Sequence, residues 1–577
     1  MRDSLSTQAF FVVLVVAALY LLWDAGRPYN QTDEFLYSGV TLEMLQSGDY
    51  LTPRFGPIEL LTKPPLFYWA SAAVVSVFGY SESAMRLLPA MSLLMAMFVI
   101  FRLVRKHCSP LLGLAAASIY FLCYDHLFNH VYRAGVMEGV LNLLMAVTLW
   151  LNSQLRESPG RLRWIAIALA LALLTKSAFV VIPGALTAAN LWFFRRDHRL
   201  APALLWQSAA LFLVVALPWF VLALWVHGSA LLDYMIVDQV WKRAVNDTSA
   251  AAATGRSFGR GEELYVLQHF LQYGQPWSLL VWPALWLGIR GQPDDSRDRT
   301  VLLRLCCGWV IGVLLLFLVA RGRWSWYISS VYIPASILIA AMLQRFWREA
   351  GDTTAAWIWA AMGAIFVVAQ SPYIVNPYEI SSGGLPIYDS SLGQLTVFSI
   401  LAFVMVVLIR SGREIESVRA AKVRAVCILV LAGAATLLLV SATWESAPYS
   451  VVMVATPVGA IMSLSMLAMI PVRRSPLARA VAIACPFIVA AGYLAAPLHW
   501  SGQDNRRGEI KWVEKQIAAG YFDQHASLEM PSMSLFSFIP VYATFNQRFD
   551  VTYDAEDRRI ILARPSNGRH EPFGSAK

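Results

Sequence analysis

Long apolar stretches, the longest running from Ala203 to Val226, recur along the chain from Gln8 to Pro497. A run of this kind crosses a hydrocarbon layer of roughly 30 Å when coiled as a helix rising about 1.5 Å per residue. The stretches lack the alternation of a membrane barrel strand, so helices are what keep the backbone hydrogen-bonded inside lipid. With 58% hydrophobic and 14% charged residues, the chain carries more apolar surface than one water-soluble core can hide. It is expected to be an all-α polytopic membrane protein. A signal peptide is the alternative reading of Gln8 to Trp23, but no small-residue cleavage site follows, and Trp23-Asp24-Ala25-Gly26-Arg27 suits an interfacial helix end.

The basic residues set the orientation. The formal charge is +9, yet Lys and Arg are scattered over short connections, which argues against nucleic acid as a partner. With Arg2 placed in the cytoplasm, 24 of the 46 Lys and Arg fall on that side, in groups such as Arg102/Arg105/Lys106, Arg156/Arg161/Arg163 and Arg290/Arg297/Arg299/Arg304. This distribution follows the positive-inside rule. It holds only if Pro65 to Phe78, apolar but short, lies in the interface instead of crossing. Spans are then expected near 8–23, 84–104, 110–125, 136–151, 163–175, 177–194, 203–226, 277–289, 301–320, 325–345, 355–372, 391–410, 424–443, 450–471 and 477–497, an estimate of 13 to 15. Residues 1–500 form the membrane unit in this reading. Its long non-cytoplasmic loops are 24–83 and 227–276, and residues 501–577 form a small α+β tail on the same side, with a helix-like stretch at Glu509 to Ala519 and short strand-like runs at Val541 to Phe545 and Arg559 to Ala563.

Six cysteines sit in or beside apolar segments, with neither a disulfide framework nor a CxxC metal motif. Ionisable groups are more telling. Asp33, Glu34, Lys63, Arg133, Glu138, Lys176, Arg243, Arg321 and Arg323 all map to the non-cytoplasmic face, and charges near membrane depth are costly enough that such a gathering points to a site. Each alone has a plainer reading. Asp33-Glu34 begins an amphipathic run and could cap a helix, and a single Arg or Lys could meet headgroups. Together, an acid could take a proton from an acceptor hydroxyl or hold a divalent ion against a phosphate, and Lys63, stiffened by Pro64-Pro65, suits a phosphate oxygen.

The pattern Asp33-Glu34-x-x-Tyr37, Ser47-Gly48-Asp49-Tyr50-Leu51-Thr52-Pro53-Arg54, Lys63-Pro64-Pro65-Leu66-x-Tyr68-Trp69 and Ser81-Glu82-x-Ala84-x-Arg86-Leu87 resembles the first periplasmic loop of bacterial polyprenyl-phosphate-sugar glycosyltransferases of the GT-C type. The nearest group is the aminoarabinose-lipid A transferase and protein mannosyltransferase-like family. Thr175-Lys176, Gly274-Gln275-Pro276-Trp277 and Arg323-Trp324-x-Trp326-Tyr327 follow in the family's order. The resemblance implies a periplasmic cavity in the bacterial inner membrane where a sugar leaves a polyprenyl phosphate for lipid A, lipopolysaccharide or a protein. It implies Asp33 and Glu34 as catalytic acids, Lys63, Arg243, Arg321 and Arg323 as donor-phosphate ligands, and Tyr37, Arg133, Glu138 and Lys176 in support. Glu138 stands where relatives usually carry a second Asp. Thr62 and Tyr273 replace an acid and a His often found in the aminoarabinose enzymes, and both departures count against a bound metal and an aminoarabinose donor. Metal dependence stays open at this stage, and no other cofactor is implied.

Two further classes fit the sequence less well. A transporter or flippase calls for ionisable groups at mid-membrane and paired broken helices in two halves, and the sequence shows neither. An oligosaccharyltransferase calls for a Trp-Trp-Asp motif near the C-terminus, which is missing.

Overall fold

The computed structural model describes residues 2–23, most of 25–126, 131–194, 200–242, 277–291, 295–319 and 325–349, then 508–518, 527–530, 550–554 and 559–563, with Phe270 and Gly274. The five spans expected between 355 and 497 lie outside the described residues, as does the expected strand-like run 541–545.

Helices form where the apolar stretches predicted them. They are α1 (Arg2–Trp23), α2 (Thr32–Ser47), α3 (Leu66–Phe78), α4 (Glu82–His107), α5 (Pro110–Phe121), α6 (Glu138–Ser153), α7 (Arg161–Thr175), α8 (Val181–Phe193), α9 (Pro202–His227), α10 (Ser278–Arg290), α11 (Arg297–Val319) and α12 (Tyr332–Glu349). Their ends have local causes. Ser81 and Ser109 accept hydrogen bonds from the backbone amides of Ala84 and Leu112 at the starts of α4 and α5, and Pro110 supplies a first residue with no amide to satisfy. Gly79, at a φ of 79°, ends α3 in a conformation closed to most side chains. Among the described residues, four stretches are long and apolar enough to cross a membrane: Glu82–His107, Pro202–His227, Arg297–Leu318 and Trp326–Arg345.

The bundle is packed around α4, α5, α10, α11 and α12, whose buried side chains form one apolar cluster with α1. Phe10 of α1 stacks on Phe101 of α4 with ring centroids 4.0 Å apart. Buried amides tie α6 to α8, where Asn152 donates to Thr187 and Asn190 donates to Asn152, each at 3.0 Å. Such interhelical bonds spare polar atoms an apolar environment. At one end the basic groups find acids: Lys106 pairs with Glu157, and Arg156 donates twice to Asp298, at 2.7 and 2.9 Å. These belong to the set assigned to the cytoplasmic side.

At the other end, the segment between α2 and α3 holds a two-residue hairpin, β1 (Arg54–Phe55) and β2 (Ile58–Glu59), turning at Gly56 with a φ of 57°. Toward the C-terminus, α13 (Gly508–Ala518) follows the expected helix within a residue, and β3 (Ser527–Met530), β4 (Asp550–Asp554) and β5 (Arg559–Ala563) form an antiparallel sheet of order β3-β5-β4. Its buried Leu528, Val551, Ile560 and Leu562 share one apolar cluster with Phe35, Phe67 and Met85 of the first loop and α4.

Close approach of α5 to α4 rests on Gly113. A Cβ there would sit 2.8 Å from the Phe101 carbonyl oxygen and 3.3 Å from the Arg105 nitrogen, backbone atoms that cannot swing aside. Gly113→Ala is therefore expected to destabilise by about 1–3 kcal/mol through overpacking. Gly184→Ala, with open space at its Cβ, should leave the thermal midpoint in detergent level or slightly raised.

Candidate functional site

The first loop folds as two helices clamped by aromatic rings. Tyr37 of α2 meets Phe67 and Tyr68 of α3 edge-on, with centroids 5.7 and 5.8 Å away, and all three side chains are buried. This packing joins the helix that begins with Asp33-Glu34 to the helix that follows Lys63-Pro64-Pro65. The turn itself is held from outside. Leu61 packs with Leu174 of α7 and Trp219 of α9, and the Trp219 indole donates to the Leu51 carbonyl at 3.0 Å. The Trp69 indole donates to the Tyr50 carbonyl at 2.8 Å, and Thr52 Oγ1 lies 2.9 Å from His227 Nε2 at the end of α9. Lys63 is thus half-buried on an anchored turn.

Beneath the loop lies a buried ion pair. Lys176, at the C-terminal end of α7, donates from Nζ to Glu138 Oε1 at 2.6 Å, and both side chains are nearly sealed from solvent. The ammonium also faces the rings of Phe179 and Tyr327, 4.6 and 4.7 Å from their centroids. Aromatic faces attract a cation most strongly when it is desolvated, so the lysine is held as a charge within an apolar wall. Glu138 opens α6, where a carboxylate is favoured by the helix dipole. One helical turn on, Asn142 donates to Ser329 at 3.2 Å and ties α6 to the seven-residue 3₁₀ segment Ser325–Val331 that carries Tyr327.

Asp33 belongs to the same neighbourhood. It is half-buried, and its field and that of Glu138 both reach the hydroxyls of Tyr37 and Tyr68. Burial first, then these two carboxylates, hold both phenols well above the ordinary tyrosine range. Asp33 also acts electrostatically on Lys176. Glu34 has a different setting, fully buried against Arg86 of α4, with an Nε to Oε1 distance of 2.8 Å. Arg133 is buried over the ring of Tyr20 in α1, 5.1 Å from its centroid.

The structure therefore brings together Asp33, Tyr37, Glu138 and Lys176, and packs the Lys63 turn against the same helices. Arg243, Arg321, Arg323 and Tyr273 lie outside the described residues. Phe179 escaped the sequence reading, and Tyr68 and Tyr327 entered it only as motif letters: Phe179 and Tyr327 box the Lys176 ammonium, and Tyr68 feels both carboxylates. An aromatic at a helix end gives no signal of its own against an apolar background. A buried polar group around Asp125 and His126, where His126 Nδ1 donates to the Tyr120 carbonyl at 2.6 Å, escaped likewise. Among the described residues, no three His, Cys, Asp or Glu side chains group as a metal site requires. Thr62 offers only a hydroxyl beside Lys63.

This arrangement, a bundle of apolar helices with a two-helix polar loop closing one end and a small sheet after it, has a solved counterpart. Over 98% of this chain and 99% of that one, the fold matches ArnT from Cupriavidus metallidurans, solved bound to undecaprenyl phosphate, with a TM-score of 0.52 at 18% identity. The family model for dolichyl-phosphate-mannose-protein mannosyltransferase matches residues 62–222. The undecaprenyl phosphate-alpha-4-amino-4-deoxy-L-arabinose arabinosyl transferase of Edwardsiella ictaluri is 26% identical over 358 residues, 59% of this chain and 60% of that one. Its counterpart in Shewanella sediminis is 26% identical over 342 residues, 58% and 59% of the two chains. The matched part of the chain thus spans about three fifths of these relatives' length. The resemblance read from the first-loop motif holds at the level of family model, relatives and fold.

Two outcomes follow from the geometry. Lys176→Met would leave Glu138 buried without its ammonium and should lower stability by about 3–5 kcal/mol, while Lys176→Met with Glu138→Met should recover most of the loss in the thermal midpoint. Because Tyr37 and Tyr68 are held protonated through the ordinary alkaline range, Tyr68→Phe should leave the alkaline limb of the activity–pH profile where it is. A limb that moves with this variant would contradict the burial that, ahead of the two carboxylates, holds the phenol protonated.

Proposed function

We propose that this chain is a bacterial inner-membrane glycosyltransferase that takes a sugar from a polyprenyl-phosphate donor and passes it to lipid A or lipopolysaccharide at the periplasmic face. The observation that carries the reading is the cluster of Asp33, Glu138 and Lys176 under an anchored Lys63-Pro64-Pro65 turn, at one end of an apolar bundle. A polyprenyl phosphate cannot leave the bilayer, so its enzyme needs an apolar groove, a cation for the phosphate and a carboxylate near the interface. The names of the curated relatives favour this donor type, and the tail after residue 500 belongs, in the same reading, to the periplasmic side.

In the proposed step an acceptor oxygen attacks the anomeric carbon as the bond from that carbon to the phosphate oxygen breaks. The leaving polyprenyl phosphate keeps the electron pair, and Lys63 meets its charge, with Arg243, Arg321 and Arg323 as further phosphate contacts. Asp33 takes the proton if the acceptor is a hydroxyl; if the acceptor is a phosphate, Asp33 orients it and no base is needed. The Glu138–Lys176 pair, Tyr37 and Arg133 shape the wall of the site.

A protein acceptor is the second reading, favoured by the description of the matching family model. Mass spectrometry of lipid A and of periplasmic proteins, from a deletion strain complemented with wild type or Asp33→Asn, tests both. Wild type should add a sugar to one fraction, and Asp33→Asn should cut that signal by about 10²–10⁴-fold if the acceptor is a hydroxyl, a few-fold if it is a phosphate. Unchanged sugar content in both fractions, with folded wild type present, refutes the function. Lys63→Met should raise the donor concentration for half-maximal rate by roughly tenfold, with Lys63→Arg intermediate. For orientation, Ser47→Cys, exposed at the end of α2, should react with a membrane-impermeant thiol reagent from outside in a chain stripped of its native cysteines. Labelling only from the cytoplasm would invert the whole arrangement.

A further inference from the structure

Arg86 lies just inside α4, in a stretch that is otherwise apolar, and is 2% exposed. Its guanidinium forks onto Glu34, with Nε donating to Oε1 at 2.8 Å and Nη2 to Oε2 at 3.2 Å. The remaining arm, Nη1, donates to the Ala25 carbonyl at 2.8 Å just after α1, and the plane lies over the Tyr29 ring, 5.2 Å from its centroid. Glu34 is completely buried, and its Oε1 accepts a second hydrogen bond from the Gly135 amide at 3.0 Å. Gly135 sits midway between Arg133 and Glu138, on a loop whose Ala134, Val136 and Met137 are all at 0% exposure.

One ion pair therefore joins the end of α1, the start of α2, α4 and the loop that leads into Glu138. Two physical points give it meaning. Ion pairs of this depth are poor sources of net stability, because an apolar pair of the same shape does as well or better. The bidentate fork, however, fixes direction as well as distance. Glu34 is the neighbour of Asp33 on the first turn of α2, so pinning Glu34 sets the rotation of that helix and hence where Asp33 points. Through Gly135 the same carboxylate sets the height of the loop that delivers Glu138.

We propose that Arg86 is a positioning residue of the transfer site, acting through Glu34 on Asp33 and on the 133–138 loop, and that Glu34 serves as its partner and not as a second catalytic carboxylate. The activity part of this inference rests on the glycosyltransferase reading of the site. A carboxylate with no exposed surface and both oxygens engaged cannot meet an acceptor without breaking the knot that holds the helix.

The test uses the full-length protein in two arms. In the first, Arg86→Met, Glu34→Leu, the double variant, Arg86→Lys and Glu34→Gln are expressed in the deletion strain, and sugar transferred to lipid A and to periplasmic protein is normalised to folded protein. Binding of undecaprenyl phosphate to each purified variant is followed by tryptophan fluorescence. Arg86→Met and Glu34→Leu should each cut transfer at least tenfold while undecaprenyl phosphate binding changes less than twofold. The double variant should be no worse than the poorer single one, because both remove one linkage. Arg86→Lys should fall between Arg86→Met and wild type, and Glu34→Gln, which keeps Oε1 for Arg86 Nε and the Gly135 amide but turns an N–H toward Nη2, should retain severalfold more transfer than Glu34→Leu. Glu34→Gln as inactive as Asp33→Asn, with folding intact, overturns the proposal in favour of a catalytic Glu34. Arg86→Met with wild-type transfer overturns it as well.

In the second arm, spin labels at Gln46 on α2 and at the exposed Met91 on α4 report the placement of α2 directly. Their distance distribution should broaden or shift in Arg86→Met and stay as wild type in Asp33→Asn. An unchanged distribution in Arg86→Met overturns the positioning claim. This arm needs no activity, so a wild-type chain that transfers no sugar sinks the proposed function while leaving the positioning claim decided on its own terms. If a single variant fails to fold, the double variant, which removes both buried charges together, carries the same comparison.

Discussion

A charge buried in an apolar bundle must have its opposite within hydrogen-bond reach, and the polar end of this protein is arranged by that requirement. Lys176 and Glu138 meet at 2.6 Å behind the rings of Phe179 and Tyr327. Removing either partner alone would strand a charge where water cannot reach it, which is far costlier than removing both. The pair therefore locks the end of α7 to the start of α6. The Asn142–Ser329 bond, one turn deeper, extends the lock to the segment before α12.

The second lock, Glu34 with Arg86, is made the same way, and the two divide the ionisable groups of the site into different kinds. Four of them, Glu34, Arg86, Glu138 and Lys176, are buried and spent on one another as two neutral units. Asp33 and Lys63 remain half-buried on the loop above. Pairing within the wall keeps the four buried charges from demanding counter-ions of their own.

Helix positions were legible in the sequence because lipid leaves the backbone no alternative partner, so each long apolar run has one solution. The expected span 84–104 became Glu82–His107, 203–226 became Pro202–His227 and 163–175 became Arg161–Thr175, with the added residues supplied by caps and basic ends. The interfacial segment read at Pro65 to Phe78 is a separate short helix, as its bracketing prolines and Gly79 implied. The hairpin at Arg54–Glu59 was not legible, since two residues per strand carry no alternation to detect, and only the Gly56 turn betrays it. Of the C-terminal sheet only β5 had been sensed, as the run Arg559 to Ala563; β3 and β4 are short and set among polar residues.

The sequence put Asp33, Tyr37, Glu138 and Lys176 on one face and the fold groups them, but the different surroundings of Asp33 and Glu34 could not be read from it. Asp33 and Glu34 are adjacent in sequence and chemically alike, and no local rule separates them. What separates them is the company each keeps across the fold: Arg86 is 52 positions from Glu34 and Gly135 is 101. An α-helix rotates about 100° between neighbours, so two consecutive acids at a helix start must face different surroundings, and only one of them can face a cavity while the other faces a core. Here the core-facing acid found an arginine, and its neighbour was left at the rim beside Tyr37, Tyr68 and the Lys176 pair. Two adjacent acids can thus take up different surroundings, one half-exposed and one fastened in the core, and the distinction rests on burial and a bidentate geometry that appear only once the chain has folded.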